Sequence, residues 1–250
     1  EFQDVGYAEE YLKRLEETNA KDLAHRGDAH GFAFTQTAAK YLANAMAYDD
    51  IIRVADAKTR AGRMARIEAE VGATDAHLTC VTEYTHPGAP EVISMMPRRL
   101  GQWAETLPKV VRTIDRLVNR GRHIRTDTVR GFVPLYAVAG LRRWRRVLLR
   151  HGQEMAHIDA WMNLCEGRLG LDYDFAVQSL AMRRLIKGYS DTHARGLSKF
   201  DRVTAATHLV EGRDDAGDWT RRLIDAALAA PDGTQLDGAI QTIQSFTMTP

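Results

Sequence analysis

Hydrophobic positions recur with a helical period from Gly131 to Glu166. Taken at alternating steps of four and three residues, the apolar side chains fall on one face, the seven-residue repeat of a helix that packs against other helices. Only His151 interrupts this apolar seam. The seam consists of Ala137, Leu141, Trp144, Leu148, His151, Met155, Ile158, Met162 and Cys165. The pattern predicts one long central helix with a bundle around it.

The arginines of the same stretch lie off the seam. They are Arg142, Arg143, Arg145, Arg146 and Arg150. Because a helix that buries its apolar seam turns the opposite side outward, these arginines would face solvent or a partner. We predict that they form a partner-binding surface.

Periodic apolar positions predict further helices along most of the chain. They cover residues 4–21, 35–71, 91–96, 100–119 with a break near Pro108, 173–187, 197–210, 217–230 and 234–246. Thr35 is the predicted N-cap of the second helix. Two segments, 76–84 and 122–129, lose the helical period and carry β-branched residues. We therefore predict an all-α protein with at most a small two-stranded ribbon.

Two acid–arginine pairs within the predicted helix 35–71 are spaced four residues apart. They are Asp49 with Arg53, and Asp56 with Arg60. Residues four apart are neighbours on a helix surface. We expect two ion pairs on that surface.

The composition allows a substantial core. The chain has 250 residues, 44% of them hydrophobic, and we predict a single helical domain over residues 1–250. The longest nearly uncharged apolar run, 132–141, is too short to cross a bilayer, so we expect a cytoplasmic protein with no membrane partner.

Cys80 and Cys165 stand 85 positions apart without a CxxC motif. This excludes a zinc or iron–sulfur site made by this chain alone.

The net charge of +1 hides a strong asymmetry. From Arg98 to Arg150, 14 Lys and Arg residues face three acids, a local charge of +11. Two interpretations stay open: acidic helices of the same domain neutralise these cations, or the cations dock an acidic partner. Since no helix-turn-helix, zinc-finger or stacking motif accompanies the arginines, we expect no nucleic-acid partner.

Two groups of polar residues could carry chemistry. Glu154 and His157 form one E-x-x-H pair, but a carboxylate di-iron site uses two such pairs, and both residues flank the seam. We expect no metal site and no catalytic residue. The second group lies in a predicted loop over residues 185–200. Two interpretations stay open: the loop is a structural junction in which Asp191 or Thr192 caps the following helix, or it is a ligand or interface loop. Its polar members are Lys187, Tyr189, Asp191, His193 and Arg195.

Three stretches together resemble one protein family. They are Tyr48–Arg60 (YDDIIRVADAKTR), Gly140–Arg146 (GLRRWRR) and Leu185–Gly196 (LIKGYSDTHARG). They resemble the C-terminal helical region of the β subunit of indolepyruvate oxidoreductase, of the 2-oxoacid:ferredoxin oxidoreductases. The resemblance covers nearly the whole chain, in order.

This resemblance implies an enzyme that oxidatively decarboxylates arylpyruvates. Thiamine diphosphate is expected on the α subunit, and iron–sulfur clusters are expected to pass electrons to ferredoxin. Because the family's cofactor ligands lie outside the matching region, we expect no cofactor in this chain and no catalysis by it alone. The family's gamma-type N-terminal domain is absent from this sequence, so we expect a piece of a longer subunit.

The expected role is docking, with the α subunit as partner and ferredoxin as a second candidate. The alternative hypothesis is a helical regulatory module that recognises nucleic acid or an acidic protein through its basic face.

Overall fold

The structure is a computed structural model that describes residues 2–74, 79–230 and 232–247. These residues are mostly helical and contain one two-stranded antiparallel sheet, which confirms the predicted all-α class with a small ribbon. Among the helices of these ranges, none combines the length and the apolar character that a membrane crossing requires.

The helices and strands follow one another along the chain with short connections. In order they are α1 (Val5–Ala24), α2 (Ala33–Met46), α3 (Ile51–Thr59), α4 (Arg63–Val71), β1 (Thr82–Thr85), α5 (Ala89–Ser94), α6 (Arg98–Glu105), α7 (Pro108–Val118), β2 (Arg122–Arg125), α8 (Val129–Gly140), α9 (Leu149–Arg168), α10 (Tyr173–Ala181), α11 (Ser190–His208), α12 (Ala216–Ala229) and α13 (Thr234–Thr247). Short 3-10 helices cover Gly27–His30, Leu141–Val147 and Met182–Leu185.

The described residues form two compact units. One contains Gln3–Tyr48 and the chain from Glu154 onward; the other contains Asp49–Gln153 together with Phe2. The prediction of a single helical domain concerns the two units together and stays a prediction.

The first unit is built around a core of aromatic and aliphatic side chains. Trp161 of α9 is 2% exposed, and its indole N–H donates to the carbonyl oxygen of Ser179 in α10 at 3.3 Å. The amphipathic helices bury one face each, as their periodicity predicts. Fully buried members of the core include Phe34, Leu42, Ile158, Phe175, Leu180, Val203, Leu223, Leu236 and Ile243.

The second unit contains a smaller core under α5, α6 and α7. Its fully buried residues are Ala89, Ile93, Ala104 and Leu149, and the apolar face of α7 packs against them. The predicted break near Pro108 is confirmed, because α6 ends at Glu105 and Pro108 opens α7. Proline suits this first position, where a helix has no use for the backbone N–H.

The predicted helix over residues 35–71 is wrong as one element, because the structure has α2, α3 and α4 there. Asp50 ends the continuity: its backbone is extended (φ −136°, ψ 170°), and its side chain accepts a 2.6 Å hydrogen bond from the Arg53 N–H as the N-cap of α3. Thr35 is not a cap, since α2 already begins at Ala33. Its hydroxyl donates to Asp22 at 2.7 Å.

Both expected surface ion pairs are confirmed. The Asp49 and Arg53 side chains approach to 3.3 Å, and those of Asp56 and Arg60 to 2.7 Å.

The stretch from Gly131 to Glu166 is also not one continuous helix. It divides into α8, the 3-10 helix Leu141–Val147 and α9. Leu148 is extended (ψ 158°) and forms an isolated β-bridge with Pro97, and the next N–H, of Leu149, donates to the carbonyl oxygen of Met96 at 2.9 Å. These backbone bonds to a distant segment replace helical ones and break the predicted seam.

The ribbon forms where the sequence predicts it. β1 and β2 pair antiparallel, with Glu83 opposite Ile124 and Tyr84 opposite His123. Both strands are shorter than the predicted segments 76–84 and 122–129, and residues 76–78 of the first segment lie outside the described residues.

Candidate functional site

Arg145, predicted to face a partner, is buried instead. It is 2% exposed, and its Nε and Nη2 atoms donate to the two carboxylate oxygens of Asp50 at 2.9 and 3.1 Å. Its Nη1 donates to the carbonyl oxygen of Phe2, and the guanidinium lies 4.3 Å from the centroid of that ring. Since these contacts enclose the guanidinium inside the second unit, the prediction for Arg145 is wrong.

The other four predicted arginines differ in exposure. Arg143 and Arg146 are exposed, whereas Arg142 and Arg150 are half-buried. Their role in binding a partner stays a prediction. Trp144, predicted inside the apolar seam, is 53% exposed, because a 3-10 helix has three residues per turn and rotates the side chains off the α-helical pattern.

A second cationic surface, not singled out from the sequence, lies on α7, on the turn that follows it and at the start of β2. The apolar side chains of α7 face the core of the second unit, so residues three and four positions apart on its other side face outward. We call this the α7 basic surface. It consists of Lys109, Arg112, Arg116, Arg120 and Arg122, all exposed.

No member of the α7 basic surface forms an ion pair with the residues that the structure describes. Arg112 and Arg122 donate only to backbone carbonyl oxygens, which carry no net charge. The acid of this helix, Asp115, instead accepts hydrogen bonds from Asn119 and from the Ala89 N–H. The positive charge of this surface is therefore directed to solvent.

The predicted loop over residues 185–200 is mostly helix. Gly188 takes a left-handed conformation (φ 68°), and α11 already begins at Ser190 with Tyr189 as its N-cap residue. Neither Asp191 nor Thr192 is that cap, so the structural-junction interpretation is wrong in this detail.

The polar residues of this segment do not converge on one site. Lys187, Tyr189, Asp191 and Arg195 are exposed, whereas the His193 side chain is only 14% exposed. Contact of the exposed four with a ligand or partner stays a prediction.

His193 belongs to a buried polar cluster in the first unit. Its Nε2 lies 3.4 Å from one carboxylate oxygen of Glu154, and Nη2 of Arg183 lies 3.4 Å from the other. Nη1 of Arg183 is 3.3 Å from Nδ1 of His157, whose ring packs on Phe200. The E-x-x-H pair of α9 thus points into the unit, contrary to the expectation that its members merely flank a seam.

The cluster suppresses protonation of one histidine. Burial, and then the positive charge of Arg183, lower the pKa of His157 from 6.5 to about 4, although Glu154 acts in the opposite direction. At neutral pH His157 is therefore uncharged and accepts the hydrogen bond from Arg183. The Arg183 guanidinium thus contacts both members of the E-x-x-H pair, Glu154 and His157.

Close packing of the segment around residues 185–196 supports a structural role for this cluster. A Cβ atom on Gly196 would lie 2.6 Å from the carbonyl oxygen of Leu185, so only glycine allows α11 to approach this backbone.

The spacing of Glu154 and His157 was the sequence signal for the cluster. Arg183 and His193 carried no comparable signal, because they come from other elements.

The chain does not fit the iron–sulfur clusters that the resemblance implies for the complex. Such clusters are bound by several cysteine thiolates, and each unit contains one cysteine. Cys80 is exposed in the second unit; Cys165 is buried in α9 of the first, where burial raises the pKa of its thiol. In the part of the chain that the structure describes, no group of three or more His, Cys, Asp and Glu side chains could hold a metal ion.

Taken together, the fold and these sites define an all-α protein with internal charge clusters and a cationic outer helix. The chain belongs to a family of unknown function, DUF6537, whose model matches residues 1–206. No curated protein and no solved structure matches it. The description of the family assigns no activity.

Proposed function

We propose that this chain is the docking domain of an arylpyruvate oxidoreductase of the indolepyruvate type. In this role it binds an acidic surface of the thiamine-diphosphate subunit or of ferredoxin, and it performs no chemistry alone. The observation that carries the docking role is the α7 basic surface, whose cations have no acidic partner among the described residues. The choice of enzyme rests on the three stretches that resemble the β subunit.

The positions of these stretches favour docking over catalysis. Asp50 of the first stretch pairs with Arg145 of the second inside one unit, and His193 of the third contacts the buried Glu154. Asp50 and Arg145 thus hold the second unit together, and His193 belongs to the buried cluster of the first unit, whereas other charged residues of these stretches are exposed. A binding surface on a different element, α7, is compatible with this arrangement.

The composition of the α7 basic surface suits a protein interface. Arginine is enriched in interfaces, and exposed apolar side chains next to it add buried area on binding. Leu117 on the same helix is 66% exposed, and Trp103 on α6 is 55% exposed. Unpaired cations also attract an acidic partner over a distance, which raises the association rate.

Binding of the 250-residue chain to its companion subunit and to ferredoxin tests this proposal. Association should be strong at an ionic strength of about 0.1 M and much weaker at about 1 M, since the screening length falls from ~10 to ~3 Å. In parallel, the chain should give no arylpyruvate-dependent reduction of an electron acceptor unless the thiamine-diphosphate subunit is added.

Duplex DNA and RNA of matched length serve as competitors. Binding to nucleic acid without binding to either protein would replace the docking proposal with the regulatory-module hypothesis.

A further inference from the structure

A cavity of about 460 Å³ opens in the second unit, away from α7. The end of α3 and the start of α4 form one side, and α8 forms the other. This volume falls within the range of small-molecule sites, which are mainly apolar with a few polar groups that orient the ligand. Its lining combines three cations, two aromatic rings and aliphatic side chains, including Met64 and Ile67.

The cations at this cavity carry one more charge than the acids that pair with them. Lys58 and Arg63 both pair with Glu83, and Arg60 pairs with Asp56 at 2.7 Å. Burial raises the pKa of Glu83, but Lys58 and Arg63 outweigh it and hold the pKa below its usual value, so this carboxylate stays ionised. Three cations against two acids leave a charge of +1, which matches a singly charged anion.

Donors remain for such an anion. The hydrogen bonds of Arg60 to Asp56 use Nε and Nη2, and its Nη1 has no partner among the described residues. Lys58 has three N–H donors, and a single contact, at 2.8 Å to Glu83, is seen in the described part of the chain. Both side chains line the cavity, so both have donors left for a carboxylate.

The opposite wall presents aromatic faces. Phe132 and Tyr136 lie one turn apart on α8, with ring centroids 5.7 Å apart and ring planes only 17° from parallel. Gly131 fixes their position, because a Cβ there would clash with the carbonyl oxygen of Arg125 and push α8 away from β2. Tyr136 is 63% exposed, so its ring has a face available for stacking.

We propose that this cavity binds a small aromatic monocarboxylate. The carboxylate pairs with Arg60 and Lys58, and the ring lies against Tyr136 and Phe132, with Met64 completing the apolar side. This inference stands on the cavity and does not depend on the proposed docking function.

Chemical-shift titration of the 250-residue chain with three matched compounds tests this site. Phenylacetate provides both ring and charge, cyclohexylacetate lacks the aromatic face, and 2-phenylacetamide lacks the charge. Phenylacetate should bind saturably and most tightly, with the largest shifts at Arg60 and Tyr136. Absence of saturable phenylacetate binding, or equal affinity for either analogue, would overturn the proposal.

Two substitutions on exposed side chains sharpen the test without disturbing the core. Arg60→Gln should weaken phenylacetate binding about tenfold or more, as expected for loss of a charge-assisted hydrogen bond. Tyr136→Leu should weaken it about two- to tenfold through loss of ring stacking. Both variants should keep the circular dichroism spectrum of the parent.

Matched controls are Arg66→Gln on α4 and Tyr84→Leu on β1, whose side chains are exposed and outside the cavity lining. The controls should bind phenylacetate as the parent does. An Arg60→Gln variant with parental affinity, or controls that lose affinity equally, would refute the site.

Discussion

Replacement of Arg145 by methionine should destabilise the protein strongly. Methionine retains much of the apolar volume but leaves the Asp50 carboxylate, which is 5% exposed, without its guanidinium. Breaking a buried ion pair from one side costs about 3–5 kcal/mol, because the remaining charge stays out of water without compensation. An exposed arginine that served only a partner would change stability by about 0.5 kcal/mol or less.

The loss of stability can be measured by urea unfolding and by thermal unfolding, each followed by circular dichroism and tryptophan fluorescence. For a protein of this size, 1 kcal/mol corresponds to a shift of about 2–4 °C, so Arg145→Met should lower the melting temperature by about 6–20 °C. The exposed neighbour Arg143 provides the matched control, Arg143→Met, which should leave the unfolding midpoint nearly unchanged.

A double substitution separates the ion pair from simple packing. Asp50→Asn combined with Arg145→Met removes both charges, and the asparagine oxygen can still accept the N-cap hydrogen bond from Arg53. The double variant should therefore be more stable than Arg145→Met alone. Equal stability of the two variants, or an Arg145→Met protein as stable as Arg143→Met, would refute the structural role of this pair.

Two further predictions use the same unfolding assay. Because His157 takes up a proton at pH 6.5 when unfolded but only near pH 4 when folded, unfolding free energy should fall as pH decreases through this window. After allowance for solvent screening the loss is about 1–2 kcal/mol. His157→Gln should flatten that part of the profile of unfolding free energy against pH. The control His208→Gln, at an exposed histidine, should leave the profile as it is in the parent. A parental profile in His157→Gln would contradict the buried neutral state of His157. Trp144→Ala should cost about 0.5 kcal/mol or less and Trp161→Ala about 3–5 kcal/mol, and a reversed order would contradict the observed exposures.

The sequence predicts elements well where each is specified by its own residues. Periodicity located the helices, Pro108 located the α6–α7 break, and β-branched residues located the ribbon. The break at Asp50 also had a local signal, because an aspartate directly before Ile51 is a favourable N-cap. The seven-residue period of the apolar positions continues across this break, so periodicity alone predicts one helix over residues 35–71.

Other features depend on contacts between distant residues and had no local signal. Leu148 is extended because the chain there bonds to the segment around Pro97, so the apolar seam alone suggests an unbroken helix. Arg145 looks like its neighbours in a run of arginines, and only Asp50, 95 positions earlier, makes it a core residue. For the same reason, the sequence located a basic region but did not single out the α7 basic surface within it.

The most direct test of the docking role is a binding measurement with charge-reversed α7. The triple variant Lys109→Glu/Arg112→Glu/Arg116→Glu is compared with a control of equal charge change on exposed residues of the other unit, Lys13→Glu/Lys40→Glu/Arg184→Glu. Association with the companion subunit or ferredoxin is followed at low and high salt.

We predict that the α7 variant associates about 10- to 1,000-fold more slowly and loses most of its salt dependence, while the control keeps most of the parental rate. Equal rates for the α7 variant and the parent, or equal losses in both variants, would contradict a docking surface on α7.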